Sequence, residues 1–242
     1  HLSCFLYLSD GRVEIRVGMG YALNGFRCLC FPFGHRVALM NVAIQVLLHC
    51  LTGEKFSYSG KRYQFEDVIV TPGYVQDGGP PLWVAPMSEA GALRAAYCNS
   101  HFLPQGLKAN SFDPWVNELE GSGRQTRDYR VGIIRSILVT DDRNTDWPLV
   151  RAAEKYRMQL YQRFFKESGE GFGDSGEPVP QTWIVGNEDD CVEQLIDFIT
   201  KFGVTDIVTM AVPRGIRAEQ MTESSQMLFT RVALRVKALI AQ

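Results

Sequence analysis

The sequence predicts an α/β fold built on a parallel sheet with helical crossovers, and three observations lead there. Short apolar runs of strand length alternate with longer segments of 3.6-residue apolar period across the 242 residues. Two of the runs, Leu82–Ala85 and Val131–Val139, are mostly apolar, as strands covered on both faces are. The stretch Gly78–Tyr97 (GGPPLWVAPMSEAGALRAAY) reads as strand, tight turn and helix start, the unit from which such sheets are built.

The chain begins at His1, and the apolar turn Leu2–Leu8 reads as the end of a helix, so the chain is expected to be a fragment. Val13–Val17 alternates as a strand and runs into Gly18-Met19-Gly20-Tyr21, whose glycines permit a backbone turn near a ligand. From Val37, the positions Met40, Ile44, Leu47, Leu48 and Leu51 recur at helical spacing, and Gly53 stands where a C-terminal stop belongs. These six side chains are expected to pack on a sheet. Phe56–Phe65 alternates aromatic and polar residues around Gly60, a hairpin signal. After Gly78–Tyr97 come a short strand from His101 to Gly106 and a short helix, Ser111–Leu119.

Val131–Val139 is the next strand, followed by a long helix capped by Thr145 or Asp146 and running to about Phe165. Glu167–Pro180 has four glycines, two prolines and no apolar period, so a mobile loop is expected. Asn187 caps a helix with Val192, Leu195, Ile196, Ile199 and Phe202 on one face, closed by Gly203. A strand Ile207–Val212 and a last helix ending near Leu239 complete the count of five sheet strands, read as one domain over residues 1–242.

Composition narrows the functional classes. With 45% hydrophobic and 21% charged residues the chain can bury an ordinary core. A net charge of −2 and a pI near 6.1 provide no field for nucleic acid or an anionic membrane. No apolar run is expected to reach the roughly 18–20 residues that cross a bilayer, and no leader peptide is read, so the expected location is the cytoplasm. Six cysteines spread over core elements suit reduced thiols, and Cys28-x-Cys30 lacks a second ligand pair for a metal.

Within Gly78–Tyr97, a strand that runs into a helix N-terminus aims free N–H groups at whatever lies beyond the strand. Ser88 stands at the N-cap and Glu89 in the first turn. A plain surface cap and an anion site are both open, the cap being the commoner use of such a serine.

The order of motifs carries a resemblance. L-S-D-G-R (Leu8–Arg12), V-E-I-R-V-G-M-G-Y (Val13–Tyr21), F-P-F-G-H-R (Phe31–Arg36), L-T-G-E-K-F-S-Y-S-G (Leu51–Gly60), P-P-L-W-V-A (Pro80–Ala85), I-V-G-N-E-D-D-C-V-E-Q-L (Ile184–Leu195) and F-G-V-T-D-I-V (Phe202–Val208) together resemble the bacterial luciferase-like family of flavin- or deazaflavin-dependent oxidoreductases. The resemblance implies a (β/α)8 TIM-barrel type, incomplete, with strands four to eight present and the N-terminal third absent. The family's active-site His near the second strand falls in the absent part.

It also implies that the phosphate-binding turn matches Ala85, Pro86, Met87 and Ser88. Arg36 falls where relatives place a cation near the cofactor, and Tyr21 lies at a strand end that faces a barrel site. His101, Gln105, Arg135 and Met210 stand at strand-end positions that either line the pocket or pack the barrel. Met19 and Arg16 depart from the family pattern, where a basic residue and a glycine are usual. The implied cofactor is FMN, with coenzyme F420 as the alternative, acting on a small organic substrate. The competing reading is a non-catalytic, partial flavin-binding barrel that needs a partner segment or a second copy.

Overall fold

The computed structural model describes residues 2–104, 109–169, 182–210 and 212–241. In chain order it contains α1 (Leu2–Leu8), β1 (Ile15–Val17), α2 (Leu23–Cys28), α3 (Arg36–Thr52), β2 (Phe56–Ser59), β3 (Gln64–Val68), β4 (Leu82–Val84), α4 (Glu89–Tyr97), β5 (His101–Phe102) and α5 (Ala109–Gly121). Then follow β6 (Gly132–Ile134), β7 (Ser136–Val139), α6 (Arg143–Glu167), β8 (Trp183–Gly186), α7 (Glu188–Phe202), β9 (Asp206–Val208), α8 (Thr222–Met227) and α9 (Ala233–Ile240). Contacts divide these into two compact units, the first reaching Tyr129 and the second running from Arg130 to the end together with Tyr21–Leu23.

In the first unit β1, β4 and β5 form a parallel sheet with β4 in the middle. Ile15 donates its N–H to Pro81 O at 2.8 Å, and Ala85 donates to Val17 O at 3.0 Å, so the two strands end level. All three β4 side chains are buried, and the Trp83 indole donates to Glu14 at 2.9 Å. Ala92, Ala95 and Ala96 are fully buried on α4, small enough to let α5 approach; on that helix Trp115 stacks on Phe102 at 4.7 Å. β2 and β3 form the expected antiparallel hairpin, with Tyr58 opposite Phe65.

The expectation for the helix after Val37 needs correction. On α3 only Met40, Ile44 and Leu51 are buried, while Val37 is 42% and Leu48 38% exposed. Apolar residues surround this helix, and only part of that surface is covered. Phe33–Thr52 is also 20 residues long with mean hydropathy 1.2, enough by length and composition alone to cross a membrane, contrary to the run length expected from sequence. Its end is as predicted: Gly53 has φ 75°, and an added Cβ would come within 2.8 Å of Gly73 Cα.

In the second unit the predicted strand Val131–Val139 breaks at Arg135. Its first half, β6, pairs in parallel with β9, and its second half, β7, pairs in parallel with β8. The switch is made by two adjacent donors: Arg135 N–H goes to Val208 O at 2.9 Å and Ser136 N–H to Thr182 O at 3.0 Å. β8 is a strand that the sequence reading missed, because its four residues abut a helix cap. Ile137, Val139 and Ile184 face α7 and the C-terminal helices, whereas Leu138 and Val185 face Trp147 and Val150 of α6. Burial on both faces is what makes the run read as apolar.

Asn187 and Asp190 form a full capping box on α7, with Asn187 Oδ1 accepting from Asp190 N–H at 2.9 Å and Gly203 closing the helix. The cap of α6 is Asp142, not Thr145 or Asp146; its Oδ1 accepts from Thr145 N–H at 3.2 Å. The last helix is not uniform: Leu228–Val232 is a π-turn between α8 and α9, with Leu228 and Val232 buried. Apart from Glu167–Gly169, the loop expected at Glu167–Pro180 lies outside the described residues. Among the described residues the strands form one three-stranded sheet, one hairpin and two parallel pairs, and no closed barrel.

β1 is an edge strand, and the same stretch of chain exposes Phe5 (63%), Tyr7 (63%), Leu8 (77%) and Leu29 (69%). An open edge beside exposed apolar side chains is a template for association. Static light scattering of the purified chain is expected to show self-association that weakens when Tyr7 and Leu8 are replaced by Glu; a monomer across micromolar to millimolar concentrations contradicts this.

Candidate cofactor-binding site

The end of β4 delivers the chain to Ala85, Pro86, Met87 and Ser88, and α4 starts at Glu89. Ser88 is extended (φ −148°, ψ 164°), and its Oγ accepts from Gly91 N–H at 3.3 Å. Its carbonyl accepts from Ala92 N–H at 2.9 Å, so the N–H groups of Glu89 and Ala90 have no carbonyl within the helix to receive them. Both residues, with Met87 and Ser88, are exposed. Gly91 makes the tight turn possible: a Cβ there would lie 3.0 Å from Pro86 Cβ.

A phosphate group fits this arrangement. A serine hydroxyl has one donor and two lone pairs, so capping uses an acceptor and leaves the O–H to be donated outward beside two free amides and the positive helix end. Glu89 places a carboxylate in the same first turn, so the dipole is partly answered before any ligand arrives.

Gly18, at the end of β1, lies 3.9 Å from Ala85 by its ideal Cβ and also lines a cavity of about 350 Å³ against α3. Phe26, Phe31, Ile44 and Tyr63 make most of that wall apolar, and Arg36 is the charged residue in it. The Arg36 guanidinium lies 3.9 Å over the Phe33 ring and donates to Phe33 O at 3.4 Å. Arg36 and the Ala85–Ser88 turn therefore flank the same strand end. The cavity was not found from sequence; the all-round apolar surface of Val37–Leu51 was its one signal.

Tyr21 belongs to the second unit. Its ring stacks on Phe165 at 5.3 Å and tilts against Tyr161 at 5.2 Å. Burial, with help from the Tyr161 hydrogen bond and charge, pushes its hydroxyl up to about 12 against an opposing pull from Arg157. Arg157 holds Glu154 through two hydrogen bonds, at 2.7 and 2.5 Å, and Glu154 is 2% exposed. The row Glu154, Arg157, Tyr161, Phe165 repeats at three- and four-residue steps on α6, a helical signal that sequence reasoning overlooked.

Arg16 lies 5.5 Å over Trp83 and 3.6 Å from Glu14, so the charge that departs from the family pattern is accommodated beside β4. His101 packs 4.9 Å from Trp83, Met210 is exposed beyond β9, and Gln105 lies outside the described residues. Arg135 sits at the strand break, in contact with Phe198. All six cysteines are free thiols.

This α/β arrangement defines a class. The chain belongs to the luciferase-like monooxygenase family, whose model matches residues 6–206. Among curated proteins, the uncharacterized protein y4vJ of Sinorhizobium fredii (strain NBRC 101917 / NGR234) is 27% identical over 142 residues, covering 56% of this chain and 40% of that protein. The match thus spans less than half the length of that relative.

Among solved structures, the monooxygenase RslO1 from Streptomyces bottropensis superposes with a TM-score of 0.79 at 14% identity, covering 97% of this chain and 72% of that one. The oxygenating constituent of 3,6-diketocamphane monooxygenase from Pseudomonas putida, a type II Baeyer-Villiger monooxygenase in complex with FMN, gives 0.68 at 14% identity over 96% and 73%. An F420-dependent secondary alcohol dehydrogenase in complex with an F420-acetone adduct gives 0.68 at 13% identity over 86% and 66%. At these identities the likeness is one of fold.

The raised Tyr21 hydroxyl has a consequence for pH. A folded value above the unfolded 10 means that the folded state holds its proton longer, so this stabilisation is complete below pH 10 and is lost as pH rises toward about 12. Urea melts at pH 9 and at pH 11.5 are expected to show wild type losing more stability than Tyr21→Phe; equal losses contradict the assignment.

Proposed function

We infer that the chain is a flavin-dependent oxidoreductase of the luciferase-like kind, using FMN, with coenzyme F420 as the alternative, on a small organic substrate. The observation that carries this is the Ala85–Ser88 turn, which opens an exposed helix N-terminus at a strand end in a chain whose family match covers residues 6–206. Reduced FMN supplies electrons to oxygen, or reduced F420 a hydride to the substrate. The chain's own residues bind and orient: the Ser88 hydroxyl with the Glu89 and Ala90 amides holds the cofactor phosphate, and Arg36 offers a cation at the edge of an apolar cavity. Tyr21, in the second unit, is a candidate by the family resemblance alone, and its hydroxyl stays protonated across the physiological range. The free thiols suit the cytoplasm, and neither nucleic acid nor a membrane is a partner in this reading.

A second reading is favoured by one feature, the edge position of β1 among exposed apolar side chains. In it the chain is a partial flavin-binding barrel, one domain without its N-terminal third, and a strand-bearing partner segment or a second copy completes it.

Ser88→Ala is expected to weaken FMN binding, measured by flavin fluorescence, by about tenfold or more, the worth of one charge-assisted hydrogen bond. Because alanine also removes the cap, Ser88→Gly serves as the second variant: glycine costs a helix start only a few tenths of a kcal/mol, yet lacks the hydroxyl. Unchanged FMN affinity in both variants overturns the phosphate site.

A further inference from the structure

A pocket of about 300 Å³ lies between the start of β8 and the last turns of α7, wholly within the second unit. Arg135, Trp183, Ile184, Phe198, Lys201 and Phe202 form most of its wall. Nothing in the flavin reading uses it.

Arg135 is the unusual member. The other half-buried arginines of this unit each hold a carboxylate: Arg130 pairs with Asp206 and Arg157 with Glu154. More exposed Arg231 and Arg235 also find acidic partners, in Glu188 and Asp189. Arg135 has neither an ion pair nor a side-chain hydrogen bond among the described residues. Its guanidinium lies 4.6 Å from the centre of the Phe198 ring, and burial pulls its proton affinity below the usual value. A ring face satisfies the flat of a guanidinium but none of its N–H groups, which lie in the guanidinium plane.

The break in the strand puts it there. Because Arg135 N–H bonds to β9 and Ser136 N–H bonds to the residue before β8, the Arg135 side chain leaves the sheet where its two halves part and meets α7. Lys201, one turn beyond Phe198, brings a second cation, its Nζ 5.4 Å from the Phe202 ring. Asp197 is the one carboxylate in the lining, so the wall carries an excess of positive charge.

We propose that Arg135 and Lys201 form a binding site for a small organic anion, whose carboxylate or phosphate takes the guanidinium N–H groups and whose body lies against the aromatic wall. A planar fork with unspent donors is the group best matched to such oxyanions. The volume admits a ligand about the size of benzoate or a small phosphate monoester.

The test is isothermal titration of the purified chain, without flavin, with sodium benzoate and separately with inorganic phosphate. Saturable binding of at least one is expected at millimolar concentration or below, weakened about tenfold in Arg135→Gln and severalfold in Lys201→Gln. Lys201 is exposed, so its variant keeps the test decisive if Arg135→Gln melts early. Ser88→Ala leaves the benzoate titration unchanged, which separates the site from the turn at the end of β4. If neither anion binds saturably up to about 10 mM, or if Lys201→Gln and a folded Arg135→Gln titrate as wild type, the proposal is overturned.

Discussion

The parallel pairing of β1 with β4 is the constraint on which the candidate site depends. Ladder hydrogen bonds from Ile15 to Pro81 and from Ala85 to Val17 bring both strands to an end at one level. Beyond that level β1 becomes Gly18–Gly20 and β4 becomes the Ala85–Ser88 turn. A shift of one residue would turn the β4 side chains over, sending buried Trp83 to the opposite face and moving the start of α4. The carbonyl ends of parallel strands are where helix N-termini accumulate, so the pairing also decides where a positive helix end is presented.

A different constraint governs the second unit. One nine-residue run serves two partners, and the change of partner at Arg135 leaves a cation where a continuous strand would have an apolar contact. Both faces of β7 and β8 are covered, by α7 with the C-terminal helices on one side and by α6 on the other. At about 25 cal/mol per Å² of apolar surface, such double burial outweighs what exposed ion pairs such as Arg231–Glu188 contribute.

Much of this was legible in the sequence, because the relevant signals are local. The Ser88 cap, the Asn187 cap with its closing Gly203, the Gly60 hairpin and the apolar strands all depend on neighbours within a few residues. What was not legible depends on distant partners. The break at Arg135 is set by β8 and β9, which lie about 50 and 70 residues further on, and no spacing rule reports it. The burial of α3 was overestimated because apolar spacing reveals which residues can be covered, not whether a partner is present to cover them. The α6 cap moved to Asp142 because Asp142, Thr145 and Asp146 are all competent, and only geometry chooses among them. The Ala85–Ser88 turn was identified as a place to hold an anion, but the nearby cavity with Arg36 was not, since α2, α3, the hairpin and the end of β1 all contribute to it.

The central claim is that the helix end after β4 recognises a phosphate. Comparing FMN with riboflavin tests it most directly, because the two share the isoalloxazine ring and ribityl chain and differ only in the phosphate. Equilibrium dialysis of the purified chain against each is predicted to give an affinity for FMN at least about tenfold higher, with the difference shrinking as salt is raised. Equal affinities for the two, or no binding of either, would contradict the account.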